Sequence, residues 1–194
     1  MEEEIIALIK SDLFQLRDFE NQTIKICLTA VRQNGLVLGD VKEQTEEICI
    51  AAVKQNGYAL RYVKEQTEEI CLAAVRRRGS NLEYVENQTD EICWEAVKQE
   101  GYALEYVKDQ TEKMCLEVVR KDGWMLGFVN NQTLEICLEA CMGAYFGSNK
   151  LLDANDEQRL SDIKDPEMKE ICRKHINGDT RFLKTKSARK NDRD

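Results

Sequence analysis

The sequence predicts an all-α fold: an α-solenoid of tandem 22-residue helical repeats, about seven units with diverged ends. Three observations carry it. Thr23, Thr45, Thr67, Thr89, Thr111 and Thr133 recur at one constant step. Cys27, Cys49, Cys71, Cys93, Cys115 and Cys137 keep the same step, as do Gly35, Gly57, Gly79, Gly101 and Gly123. The apolar residues between them recur at helical spacing, and the chain has a single Pro to interrupt it.

One unit reads TEEICIAAVKQNGYALRYVKEQ, residues 45–66. Thr45 is a good N-cap, because its hydroxyl can accept from a free first-turn N–H. Glu46 and Glu47 follow at the positive end of the helix dipole, and Lys54 stands at the negative end. Counted from Thr45, Ile48, Cys49, Ala52 and Val53 fall at three, four, seven and eight, which is one helical face. Gly57 is expected to end the helix as a left-handed C′ residue, and Gly79 and Gly101 likewise. A shorter segment follows, with Leu60 and Val63 on a common side. A competing reading joins Leu60, Val63, Thr67, Ile70, Cys71, Ala74 and Val75 into one stripe, giving a single helix of roughly 20 residues per repeat. The Thr–acid start at Thr45, Thr67, Thr89 and Thr111 favours two helices.

The repeat array is expected over residues 1–147, with units starting near 1, 23, 45, 67, 89, 111 and 133. The first is disguised: Ile5, Ile9, Leu16 and Phe19 stand one repeat step before Cys27, Val31, Leu38 and Val41. A terminal repeat keeps its core and loses its signature. The last departs after Thr133, with Cys141 in the Val place and Tyr145 where Gly is expected, between Gly143 and Gly147. Residues 148–183 read as a diverged capping segment. Within it, Asp165–Pro166 is a helix start. Setting Ile171–Cys172 on the Ile–Cys pair aligns Ile176 and Leu183 with core positions after a 13-residue insertion (172 − 137 = 35; 35 − 22 = 13). Residues 184–194 read as a basic disordered tail.

The pattern ICLxAVKQNGxALxYVKxQT resembles the short helical repeats of a domain-of-unknown-function family, found in large numbers in giant DNA viruses and in some bacteria. The likeness covers roughly residues 5–142 and is tightest from Thr45 to Val129. It implies stacked helical repeats and, by analogy with other solenoids, a binding role. It carries over no catalytic residue.

Composition narrows the function. No run of 18 apolar residues exists, so no membrane span is expected, and MEEEIIALIK lacks the basic lead of a signal peptide. The ladder cysteines sit on an apolar face at a spacing too wide for disulfides, which points to a reducing, intracellular and cytoplasmic setting, the host cell's cytoplasm if the protein is viral. Net charge is −8; residues 181–194 hold six cations and two acids, +4, leaving −12 on the rest. Such a chain is no natural duplex binder.

Candidate chemistry is sparse. Cys137, Cys141, Cys172 and His175 form a C-x3-C…C-x2-H set of zinc type, but three of them occupy core positions, so neither metal nor cofactor is expected. His175 is the only His, and the glycines come singly, so no enzyme is expected. The row Arg32, Lys54, Arg76, Lys98 and Arg120, thickened by Arg77 and Arg78, reads as helix-dipole complement. The aromatic row remains. Tyr62, Tyr84, Tyr106 and Phe128 share one position, and Tyr58, Tyr102 and Trp124 another, four residues earlier. They read either as a seal between stacked repeats or as a partner-binding strip, and these seven are the candidate partner-binding residues. The expected function is a non-enzymatic protein-interaction scaffold. A self-associating structural or assembly component is the alternative, and nucleic-acid binding through the basic row and tail a weaker one.

Overall fold

A computed structural model describes residues 2–10, 16–142 and 160–177. The expected boundary at 147, residues Gly143, Tyr145, Gly147 and Leu183, and the tail 184–194 lie outside the described residues. The chain divides into two compact units, Met1–Lys108 and Asp109–Asp194. Among the described residues every regular element is helical.

Each repeat is two helices of different kinds. Thr45 is extended and its hydroxyl accepts from the Ile48 N–H, opening the ten-residue α3 (Glu46–Gln55). Ile48, Cys49, Ala52 and Val53 are buried, as the spacing predicts. The helix stops at Asn56, whose backbone is extended (φ −145°, ψ 111°). The Asn56 side chain then accepts from the Tyr58 N–H and opens a six-residue 3₁₀ helix, Gly57–Tyr62. Three residues per turn align Gly57, Leu60 and Val63, and all three are buried. A 3₁₀ run of this length is rarely stable alone, so packing holds it. Val63 and Thr67 are both extended, which excludes one continuous helix per repeat.

The glycine expectation needs correcting. Gly57 and Gly79 do not adopt a left-handed backbone; with Gly101 they start 3₁₀ helices rather than end α-helices. The constraint on them is proximity. A methyl group on Gly35 would lie 2.3 Å from the Ala52 carbonyl oxygen, and one on Gly79 would lie 2.4 Å from that of Ala96. At Gly35, Gly79 and Gly123 the start of the 3₁₀ segment therefore presses against the end of the next α-helix, where only hydrogen fits, and at Gly57 the Asn81 side chain fills that space.

In the first unit, α1 (Glu2–Lys10), α2 (Ile24–Gln33), α3, α4 (Glu68–Arg77) and α5 (Asp90–Gln99) pack in sequence, each on its successor. The 3₁₀ segments Gly35–Asp40, Gly57–Tyr62, Gly79–Tyr84 and Gly101–Tyr106 form a second row, stacked in the same order. Ile9 and Leu16 of the disguised first repeat are buried, while Ile5 and Phe19 are half-buried.

In the second unit, α6 (Glu112–Lys121) and the 3₁₀ segment Gly123–Phe128 repeat the pattern, followed by α7 (Leu134–Met142) and α8 (Pro166–Ile176). Here α6 packs on α7, and α7 on α8. Asp165 caps α8 by accepting from the Glu167 and Met168 N–H groups at 2.8 and 3.0 Å. The register differs from the one the sequence suggests. Cys172 is seven residues past its cap, whereas Cys137 is four past Thr133, so Cys172 takes the place of the ladder's Ala. Ile171 and Ile176 are accordingly only half-buried. Leu160 and Ile163, buried at 0% and 4%, keep the three-residue spacing of Leu126 and Val129 and take over their role one repeat later.

Gly79→Ala should lower unfolding stability by about 2 kcal/mol through overpacking against Ala96. Urea unfolding measures it, and an unchanged midpoint would mean the two elements separate freely.

Candidate functional site

The side chain that joins successive repeats is a glutamine, one residue before each Thr. Gln44 Nε2 donates to the Leu38 carbonyl in its own repeat at 3.1 Å and to the Tyr62 carbonyl in the next at 2.9 Å. Its Oε1 accepts from the Lys64 N–H at 3.0 Å. Gln22 does the same with Leu16, Asp40 and Lys42, and Gln88 with Leu82, Tyr106 and Lys108. Gln66 reaches Tyr84 and Glu86. In the second unit Gln110 holds Phe128 and Asn130, and Gln132 holds Leu126, Asp162 and Lys164. Gln132 thus spans the insertion. Its forward reach is 30 residues instead of 18, and the difference is the length of the interruption, one fewer than the alignment of Cys172 on Cys137 suggests.

The cysteines belong to the same ladder. Cys49, Cys71, Cys93 and Cys115 each point a thiol at the Oε1 of the preceding Gln, at 3.5–3.7 Å. All eight cysteines are buried, and none is in a disulfide. Burial disfavours the thiolate and pushes Cys71 and Cys137 up to about 11; Cys27, Cys49 and Cys115 shift the same way for the same reason. Cys172 hydrogen-bonds Cys141, and that bond, then burial, drives its pKa upward. Thiols held neutral in this way are poor nucleophiles. Among the described residues no group of three or more His, Cys, Asp and Glu side chains is placed to hold a metal ion.

Two further links tie the repeats. The Thr67 and Thr89 hydroxyls donate to Glu46 and Glu68 of the preceding helix at 2.7 and 2.9 Å, and Thr133 does so to Glu112 at 3.2 Å. The cap acids therefore do more than face a dipole. The basic row also has partners: Arg76 pairs with Glu95 at 3.3 Å and Arg120 with Glu139 at 3.1 Å, each on the next helix. The repeats' N-terminal ends meet one another, and so do their C-terminal halves, so neighbouring α-helices within a unit run parallel.

The aromatic residues lie on the outer side of the 3₁₀ row. In the first unit Tyr58 and Tyr62 remain 40% and 38% exposed, and Tyr84, Tyr102 and Tyr106 are half-buried. Tyr58 meets Tyr84 edge-on at 5.7 Å, and Arg78 donates to the Tyr58 hydroxyl at 3.3 Å. The Arg61 guanidinium lies 5.4 Å from the Tyr62 ring, which rests on Gly39. Partial desolvation, then the charge of Glu83, raises the Tyr84 pKa; the charge of Glu105 is the first cause for Tyr106. Both phenols thus stay protonated donors. In the second unit the same positions hold Trp124, 37% exposed, and Phe128, half-buried.

Sequence reasoning placed the thiols in the core and set the aromatics opposite Leu60 and Val63, as a seal between repeats or as a binding strip, but it missed the glutamines. Their signal was available: Gln22, Gln44, Gln66, Gln88, Gln110 and Gln132 recur at the same step as the Thr caps.

Comparison with known families agrees with the repeat. Two adjacent copies of a family described as a domain of unknown function (DUF4116) match residues 23–67 and 67–110. Each match starts at a Thr cap, Thr23 or Thr67, and spans two of the present repeats. No curated protein and no solved structure matches the chain.

Gln88→Leu keeps the bulk and leaves the Tyr106 carbonyl and the Lys108 N–H without their partner. It should cost about 2–4 kcal/mol in urea unfolding and speed hydrogen exchange at Lys108. The thiols predict a pH dependence. Their folded pKa exceeds the unfolded value of 9.0, so their stabilisation is complete below pH 9 and is lost as pH rises through about 11. Urea midpoints in reducing buffer should fall over that window, and Cys71→Ser, whose hydroxyl does not titrate there, should flatten the fall.

Proposed function

We propose that this chain is a non-enzymatic protein-interaction scaffold, with the aromatic edge of the 3₁₀ row as its binding surface. The observation that carries this reading is the exposure of Tyr58 and Tyr62 on a backbone that the glutamine ladder holds rigid. Large aromatics held in place lose little entropy on binding, and they are enriched among interface anchors. In the first unit the edge comprises Tyr58, Tyr62, Tyr84, Tyr102 and Tyr106; Trp124 and Phe128 present the same chemistry on the second. Tyr84 and Tyr102 are the better supported of the half-buried members as positioning groups, and the more exposed rings as anchors.

Pairing of Arg76 and Arg120 with acids supports a protein partner over a phosphate backbone. Among the described residues no helix is long and apolar enough to cross a membrane. Eight thiols outside any disulfide fit a reducing compartment, and the likeness to repeats of giant DNA viruses and bacteria fits a cytoplasmic site, that of the host in the viral case.

Tyr62→Ala should leave unfolding stability within about 1 kcal/mol of the parent, because the ring is more than a third exposed. It should reduce capture of the native partner, identified by mass spectrometry from the source cell, by about 2 kcal/mol of binding energy or more. Tyr58→Ala should do likewise after a small packing loss against Tyr84. Undiminished capture by both folded variants would remove the aromatic edge as the binding surface.

A further inference from the structure

Two cations of the basic row reach an acid on the next helix, and Lys98 pairs with Glu95 on its own helix. Arg76 pairs with Glu95, and Arg120 with Glu139, each nineteen positions on. Nineteen positions on from Arg32 is Ala51, and from Lys54 is Ala73. Arg32 and Lys54 are exposed, and neither forms an ion pair among the described residues. Two successive repeats thus present the cation without the acid that neutralises it elsewhere in the same chain.

These positions line an open groove on α2 and α3, formed by Arg32, Ile50, Ala51, Lys54 and Gln55, with Glu47 at one end. Glu47 precedes Lys54 by seven residues, about 10 Å along the helix, so it does not occupy the cationic end. Gln55 is already engaged, accepting from the Gly35 N–H at 2.7 Å and donating to the Gln33 carbonyl at 2.9 Å. What remains is an apolar floor of Ile50 and Ala51 flanked by two cations.

We infer that this groove binds an acidic segment of a partner protein, whose carboxylates take the places that Glu95 and Glu139 fill for Arg76 and Arg120. The reading is independent of the aromatic edge, since it rests on charge complementarity on the α-helical row. Packed helices lie about 8–10 Å apart, so the two cations call for carboxylates at that separation. A polyproline II segment returns to the same face every third residue, about 9.3 Å on, and needs little ordering to bind.

The test uses the full chain and a fluorescein-labelled peptide of about four Glu-Pro-Pro units, with its Gln-Pro-Pro counterpart as control. Fluorescence anisotropy at low salt should show the Glu peptide binding at least about tenfold more tightly than the Gln peptide, and weakening as salt is added. The double variant Ala51→Glu, Ala73→Glu completes the internal pairs and should bind at least about tenfold more weakly, as should Arg32→Ala, Lys54→Ala. The added acids are compatible with folding, because Glu95 and Glu139 occupy the same place, and a thermal melt verifies it. Equal affinity for the two peptides overturns the inference. So does undiminished binding by the folded Ala51→Glu, Ala73→Glu variant, which would assign the binding to other cations, such as those of residues 181–194.

Discussion

The glutamine before each Thr cap is the joint on which the stack depends. A chain that passes from a 3₁₀ helix through an extended stretch into an α-helix leaves backbone donors and acceptors unpaired at every repeat. Buried or half-buried, each such group costs about 1–3 kcal/mol if left so. One primary amide supplies two donors and an acceptor, and Gln44 spends all of them on backbone groups of two consecutive repeats. Because both its repeats contribute, the contact forms only when they stand in register. That coupling is the nearest-neighbour term that gives a repeat protein its cooperativity.

The other recurring residues follow from this joint. Cysteine suits the position behind it because it is small, apolar and still a weak donor toward the glutamine oxygen. Glycine suits the start of the 3₁₀ helix because the same register brings the next helix's carbonyl within 2.4 Å of where a Cβ would be. The Lys64 ammonium donates to the Lys42 carbonyl, and that of Lys108 to Glu86, securing the same stretch from outside. The central repeat shows what a departure costs. Arg78 replaces the capping Asn, and Glu100 of the next repeat accepts from the Ser80 N–H in its place; beside it the buried Asn81 donates to the Ala74 carbonyl, and its own oxygen has no partner.

Parallel stacking also organises charge. Side-by-side helix dipoles repel, and acids at one end with cations at the other offset that repulsion. Within each unit the same arrangement gathers cations at the C-terminal ends of the α-helices, where an acid on the next helix neutralises Arg76 in the first unit and Arg120 in the second, and small alanines leave Arg32 and Lys54 without such an acid. The described surface therefore has two kinds of face: exposed aromatic rings on the 3₁₀ row, and exposed cations beside small alanines on the α-helical row. Both are open surfaces of the kind that a stack of nearest-neighbour contacts produces.

The sequence by itself determined the period, the all-helical class, the Thr caps and the buried Ile, Cys, Ala and Val positions. These depend on short-range geometry: a hydroxyl three residues from an N–H, and apolar side chains at helical spacing. It also set Tyr58 and Tyr62 on the side of the short segment opposite Leu60 and Val63, since period alone separates those sides. Only the tertiary structure decided the role of Gly79, because its constraint comes from Ala96 in another repeat and not from its own dihedral angles. It likewise decided that Cys172 falls about one helical turn beyond the ladder position, since Asp165 caps α8 seven residues before it where the ladder has four. The pairing of Arg76 with Glu95, and its absence at Arg32, required knowing which residues nineteen apart become neighbours. Contacts of that separation exist only once successive helices have stacked, and no local pattern in the chain specifies them.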